Sequence, residues 1–142
     1  MISLKSIIFV LAVILAFHSA AFINHWYWTI WWFDIPMHFS GGLWLAMIFF
    51  YLTNPRLKIA SYQTPLTFLF ALGFVALGGV AWELAEFLYD VFISSRGYFG
   101  IAQLGAVDTV GDLFFDLCGG LALSFIYFFV IQKSRKNKES FL

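Results

Sequence analysis

Apolar residues run along this chain in four long blocks, over about 7–23, 35–52, 66–93 and 113–131. Each block approaches or exceeds the roughly 20 helical residues that cross about 30 Å of hydrocarbon. The second opens with Pro36, a residue suited to the first turn of a helix. Between the blocks lie an aromatic segment (25–33), a short turn (53–64) and a Gly/Ser-containing loop (94–107), and a polar tail follows at 132–142. The pattern predicts an all-α fold: a polytopic four-transmembrane-helix bundle forming one domain over 1–142. No internal repeat or linker interrupts it, and the length leaves no room for a cytosolic domain.

Composition agrees. The chain is 62% hydrophobic and 11% charged, with a mean hydropathy of +0.87. Soluble domains carry about a quarter charged residues, so there is too little polar surface here to coat a globule in water. Eight basic residues balance eight acidic ones, without the basic stripe that nucleic acid requires. Cys118 is the only cysteine, which excludes an intrachain disulfide. Lys5, the apolar block and Ser19-Ala20-Ala21 also fit a secretory signal peptide. The apolar run continues through Phe22 and Ile23 towards aromatic anchors, so a retained first helix is expected.

Lys and Arg concentrate on the cytoplasmic side of membrane proteins. Lys5 precedes the first span, Arg56 and Lys58 separate the second from the third, and Lys133, Arg135, Lys136 and Lys138 follow the fourth. All seven fall on one side of a four-span protein, and Arg96 alone lies opposite. Both termini are therefore expected in the cytoplasm of a multi-pass cell-membrane protein. Trp26, Tyr27, Trp28, Trp31 and Trp32 then form an aromatic belt at the outer interface.

With that topology, seven of the eight acids gather in or just above the outer leaflet. Asp34 and His38 are four residues apart, Glu83, Glu86 and Asp90 fall at i, i+3, i+7, and Asp108, Asp112 and Asp116 fall at i, i+4, i+8. Each set shares one helix face. An acid at the bilayer centre costs about 2.5–3.5 kcal/mol on insertion scales, so several facing lipid would cost on the order of 10 kcal/mol. No Lys or Arg lies within the four blocks to pair with them. The stripes are expected to face one another around water, protons or a cation, and a divalent cation resolves the repulsion most economically. Carboxylates with one imidazole suit Mg²⁺, Mn²⁺ or Ca²⁺ first, with Zn²⁺ or Fe²⁺ also accommodated.

On this reading Glu83, Glu86, Asp108, Asp112 and Asp116 are the expected metal ligands, and His38, Asp34 and Asp90 the expected catalytic or supporting groups. Plainer roles compete. Asp34 is a natural cap before Ile35-Pro36, and Asp108 could cap the fourth helix. Asp90 opposes the helix dipole unless it pairs, for example with Arg96. His38 alone would read as a buried, satisfied histidine. His25 belongs to the belt, and His18 receives no role. Ser40-Gly41-Gly42, Gly73, Gly78-Gly79 and Gly119-Gly120 permit close helix approach. No base fits the register for a Ser40 nucleophile.

The stretches FDIPMHFSGG (33–42), WELAEFLYD (82–90) and DTVGDLFFDLCGG (108–120) resemble the VanZ-like and YjdF-like small bacterial membrane proteins. This resemblance covers the last three helices and implies a setting at the cell envelope. The spacing of Asp112 and Asp116 is also similar to that in CDP-alcohol phosphotransferases, but the earlier part of that family's signature is absent.

Three functions fit these residues: a metal-dependent enzyme acting on a lipid or lipid-linked phosphate at the outer leaflet, a cation or proton binding or transport module, or a scaffold stapled by a structural cation. The expected partners are membrane lipids and, for transport, further copies of the chain. Arg96 is the sole base on the right side to hold a phosphate.

Overall fold

The structure, a computed structural model, describes residues 2–53, 64–97 and 100–139, with side chains described to residue 129 apart from that of Thr64. It is all-helical; among the described residues there is no strand. Helix α1 spans Leu4–Ile23, α2 is a single turn at Trp26–Thr29, α3 spans Asp34–Thr53, α4 spans Thr64–Phe92 and α5 spans Ala106–Glu139. Four of these are long and apolar enough to cross a membrane, at Leu4–Ile23, Asp34–Thr53, Pro65–Arg96 and Ala106–Phe129. The expected turn at 53–64, with Arg56 and Lys58, lies almost wholly outside the described residues, as do the side chains of the basic tail.

Local chemistry sets the helix ends. Ser3 and Ser6 cap α1 reciprocally, each side-chain oxygen accepting the other's backbone N–H at 3.0 and 3.1 Å. At the other end Asn24 returns its backbone and side-chain N–H groups to the Ala20 carbonyl. His25, in the left-handed region at φ 59, then turns the chain into α2. α5 starts about two turns ahead of its apolar block, because Asp108 reaches back to accept the Leu104 backbone N–H at 3.1 Å. It also continues through the polar tail to Glu139, where the sequence suggested only a frayed extension.

Helices α3, α4 and α5 form the packed centre. Phe50 stacks on Tyr127 with ring centroids 4.0 Å apart, and Phe68 stacks on Phe128 at 4.7 Å. Around the crossing of α3 and α5 the main chains nearly touch. A methyl at Gly42 would run into the Asp116 carbonyl, and one at Gly119 into the Phe39 carbonyl. Small residues at such crossings let the backbones close up where lipid supplies no hydrophobic drive. Helix α1 is peripheral: only Ile7 and Ala21 are buried on it, and Phe9 and Ile8 point outward as lipid-facing residues would. It docks on α3, where the Trp44 indole N–H donates to the Ile7 carbonyl at 3.1 Å.

Candidate functional site

The close α3–α5 crossing brings three acids around one imidazole. His38, one turn into α3 and 6% exposed, has its Nε2 at 3.5 Å from Asp34 Oδ1 and 3.8 Å from Asp112 Oδ1. Its Nδ1 lies 3.6 Å from Asp116 Oδ1. The i, i+4 spacings on both helices place these groups as the sequence pattern implied. Asp34, His38 and Asp112 each present one ligand atom within 4.8 Å of the others. Gly41 and Gly79 leave the space for Asp116; a methyl at Gly79 would lie 2.5 Å from its Oδ2.

Helix α4 supplies the remaining acids. Glu83 is buried, and neither of its carboxylate oxygens has a hydrogen-bond partner among the described residues; the same holds for Asp116 Oδ2. Leaving buried charged acceptors unmatched costs several kcal/mol, far more than leaving neutral ones. Glu86 is half-buried and accepts the Trp82 indole N–H at 2.9 Å, from one turn away on the same helix.

Beside this cluster lies a cavity of about 350 Å³ between α1, α3 and α4. Its walls are mainly aliphatic and aromatic, and Asp34, His38, Glu86 and Asp116 all reach it. Two further polar groups line it without having been expected. The Tyr27 hydroxyl and His18 Nδ1 sit 2.7 Å apart, and the His18 ring meets Trp82 edge-on at 5.8 Å. Burial holds the Tyr27 hydroxyl proton well above the usual tyrosine range, reinforced by the charges of Asp34 and Glu86. Tyr27 is thus a protonated donor facing acids. The aromatic belt therefore divides: Trp31 and Trp32 are exposed, whereas Tyr27 turns inward. His18 had a legible signal, since any titratable residue inside an apolar span is a candidate by default.

Two expected site residues are engaged by backbone amides. Asp90 accepts the backbone N–H groups of Ala102 and Gln103 at 2.8 and 2.9 Å. It clamps the loop after α4, and those amides satisfy its charge. Asp108 accepts the Leu104 N–H at the start of α5. Neither joins the three-residue group around His38. Arg96 closes the exposed 3₁₀ turn Ser94–Arg96 and does not line the cavity. Trp28 ties the same loop down by donating to the Ile101 carbonyl at 2.8 Å.

Comparison with known families finds a match over residues 2–133 to a family described as predicted membrane protein, DUF2238. No curated protein matches, and no solved structure matches.

Proposed function

We propose that this chain, which belongs to the DUF2238 family of predicted membrane proteins, holds a divalent cation inside the bilayer. Asp34, His38 and Asp112 are its ligands, Asp116 faces the other ring nitrogen of His38 and orients it, and Glu83 and Glu86 balance charge around it. One observation carries this reading. His38 Nε2 lies 3.5 and 3.8 Å from the carboxylate oxygens of Asp34 and Asp112, too long for good hydrogen bonds, which fall at about 2.7–3.2 Å. Ligands held about 2.0–2.6 Å from one ion sit roughly 3–5 Å from each other, which matches the spacing of this group. Two carboxylates and an imidazole favour Mg²⁺ or Mn²⁺, with Ca²⁺, Zn²⁺ or Fe²⁺ fitting the same donors.

The distribution of Lys and Arg supports cytoplasmic termini and a site in the outer leaflet of the cell membrane. The likeness of 33–42, 82–90 and 108–120 to VanZ-like and YjdF-like proteins supports the same setting. A second reading, metal-dependent attack on a lipid-linked phosphate, is favoured by the cavity that reaches Asp34, His38 and Asp116. There the cation would supply Lewis-acid polarisation, and a carboxylate outside the metal-holding group, such as Glu86, the general base.

The test is metal analysis of purified protein together with Mn²⁺ titration followed by electron paramagnetic resonance. Wild type should bind one ion per chain, and Asp112→Asn or His38→Ala should weaken binding at least tenfold. Unchanged metal content in both variants would remove the cation centre. Incubation with lipid phosphates and Mn²⁺ separates the enzyme from a structural cation: absence of turnover across a broad panel leaves the staple.

A further inference from the structure

A divalent ion neutralises two of the five carboxylates gathered here (Asp34, Glu83, Glu86, Asp112 and Asp116). No Lys or Arg lines the cavity, so a demand for positive charge remains on its polar side. Glu86 is not among the three residues of the metal group and lies against the cavity, steadied by Trp82. Asp116 reaches the same space from the other wall, 4% exposed and with its Oδ2 unpartnered among the described residues. Tyr27, Trp44 and Trp82 line the same cavity, with His18, Asp34 and His38. Carboxylates in a cavity lined by aromatic residues suit one ligand chemistry above others, an alkylated ammonium, through direct ion pairing and cation–π attraction. The rest of the wall is apolar, built from residues such as Leu11, Ile14 and Leu45, and suits a hydrocarbon tail. Its volume, about 350 Å³, lies within the range of small-molecule sites.

We infer that the cavity between α1, α3 and α4 binds an organic cation with an apolar tail, its ammonium held by Glu86 and Asp116 within the rings of Tyr27, Trp44 and Trp82. An anionic head, by contrast, would meet the carboxylates of Asp34, Glu86 and Asp116, with no Lys or Arg to offset them, unless an ion bridged it. The site adjoins the proposed metal centre but does not depend on it, because Glu86 and the three rings lie outside the metal-holding group.

The experiment uses the full chain in lipid nanodiscs, titrated calorimetrically with hexyltrimethylammonium, with hexanol, and with hexyl phosphate in the presence and absence of Mn²⁺. Saturable binding of the ammonium is expected, with hexanol at least tenfold weaker and hexyl phosphate without Mn²⁺ not bound. Glu86→Gln, which preserves shape, and Ile14→Trp, which fills the apolar end, should each weaken ammonium binding at least tenfold. Circular dichroism and a monodisperse elution profile establish that both variants are folded. Ammonium binding that is absent, or indifferent to both substitutions, overturns the inference. So does saturable binding of hexyl phosphate with Mn²⁺ alone, which would assign the cavity to a metal-bridged anion. Mn²⁺ binding is measured on the same samples. Retained Mn²⁺ with no ammonium binding sinks this inference alone, and the converse sinks the metal centre alone.

Discussion

Alanine substitution at four glycines should give opposite signs, decided by a contact distance of a few ångströms. At Gly42 an added methyl would overlap the main-chain carbonyl of Asp116, and at Gly119 that of Phe39. Neither obstacle is a side chain that can rotate away, so α3 and α5 must separate. Overpacking costs about 1–3 kcal/mol in well-packed interiors, and a backbone obstacle places these two at the upper end. At Gly73 and Gly111 nothing lies within 4 Å of the added atom. There the helix gains what glycine forfeits, about 0.5–1 kcal/mol. A chain of this size shifts its melting point by about 2–4 °C per kcal/mol. Gly42→Ala and Gly119→Ala should therefore melt on the order of 10 °C lower, and Gly73→Ala and Gly111→Ala slightly higher, in thermal scans of detergent-solubilised protein. Because Asp116 rides on the displaced helix, Gly42→Ala should also weaken Mn²⁺ binding. Equal melting points across the four variants would refute the close crossing, and with it the geometry that brings Asp112 and Asp116 to His38.

Asp90→Asn removes the charge that accepts the Ala102 and Gln103 amides. Hydrogen bonds to charged groups are worth about 1.5–3 kcal/mol, so these two amides should exchange with deuterium about 10- to 100-fold faster while α5 is unaffected; unchanged protection would disprove the clamp. Ser95→Cys, in a Cys118→Ala background, should react with a membrane-impermeant maleimide on intact cells, and reaction only after permeabilisation would invert the topology. Tyr27 holds its proton more tightly folded than unfolded, where it titrates near 10.0. The folded state thus keeps a proton that the unfolded state loses above that pH, and stability should fall there by up to about 1.4 kcal/mol per pH unit. Tyr27→Phe should flatten the alkaline limb; an unchanged slope would mean that the hydroxyl is not sequestered.

The spans were legible because hydrocarbon thickness demands long apolar runs, and the acidic stripes because a helix repeats its face every three or four residues. That periodicity places Asp34, His38, Asp112 and Asp116 together, but it cannot distinguish a side chain aimed at other side chains from one captured by the backbone. Asp90 and Asp108 keep the register and are captured, since the 100–105 segment folds back over the bundle and presents its amides to them. The start of α5 precedes its apolar block because Asp108, Thr109, Gly111 and Asp112 interrupt the apolar run there, and one capping bond extends the helix into those turns. Tyr27 was missed because composition alone reads an aromatic segment as interfacial, and His18, although legible as a titratable residue inside an apolar span, shares its helix with no acid to point to a site. Nothing in a linear pattern shows that α2 turns one ring towards α1 and α4.

The way the chain is stitched at that end has a kinetic consequence. The Trp28–Ile101 bond and the two Asp90 bonds join α2, the loop and α4 into one closed surface. Opening it forfeits all three together, on the order of 5 kcal/mol by ordinary hydrogen-bond values. The seam between α1 and α4 is made by ring contacts, His18 on Trp82 and Phe22 on Tyr89, which can slide past one another. Traffic to and from the interior should then be governed by the surrounding lipid, so that acyl-chain fluidity, more than the composition of the aqueous phase, paces exchange.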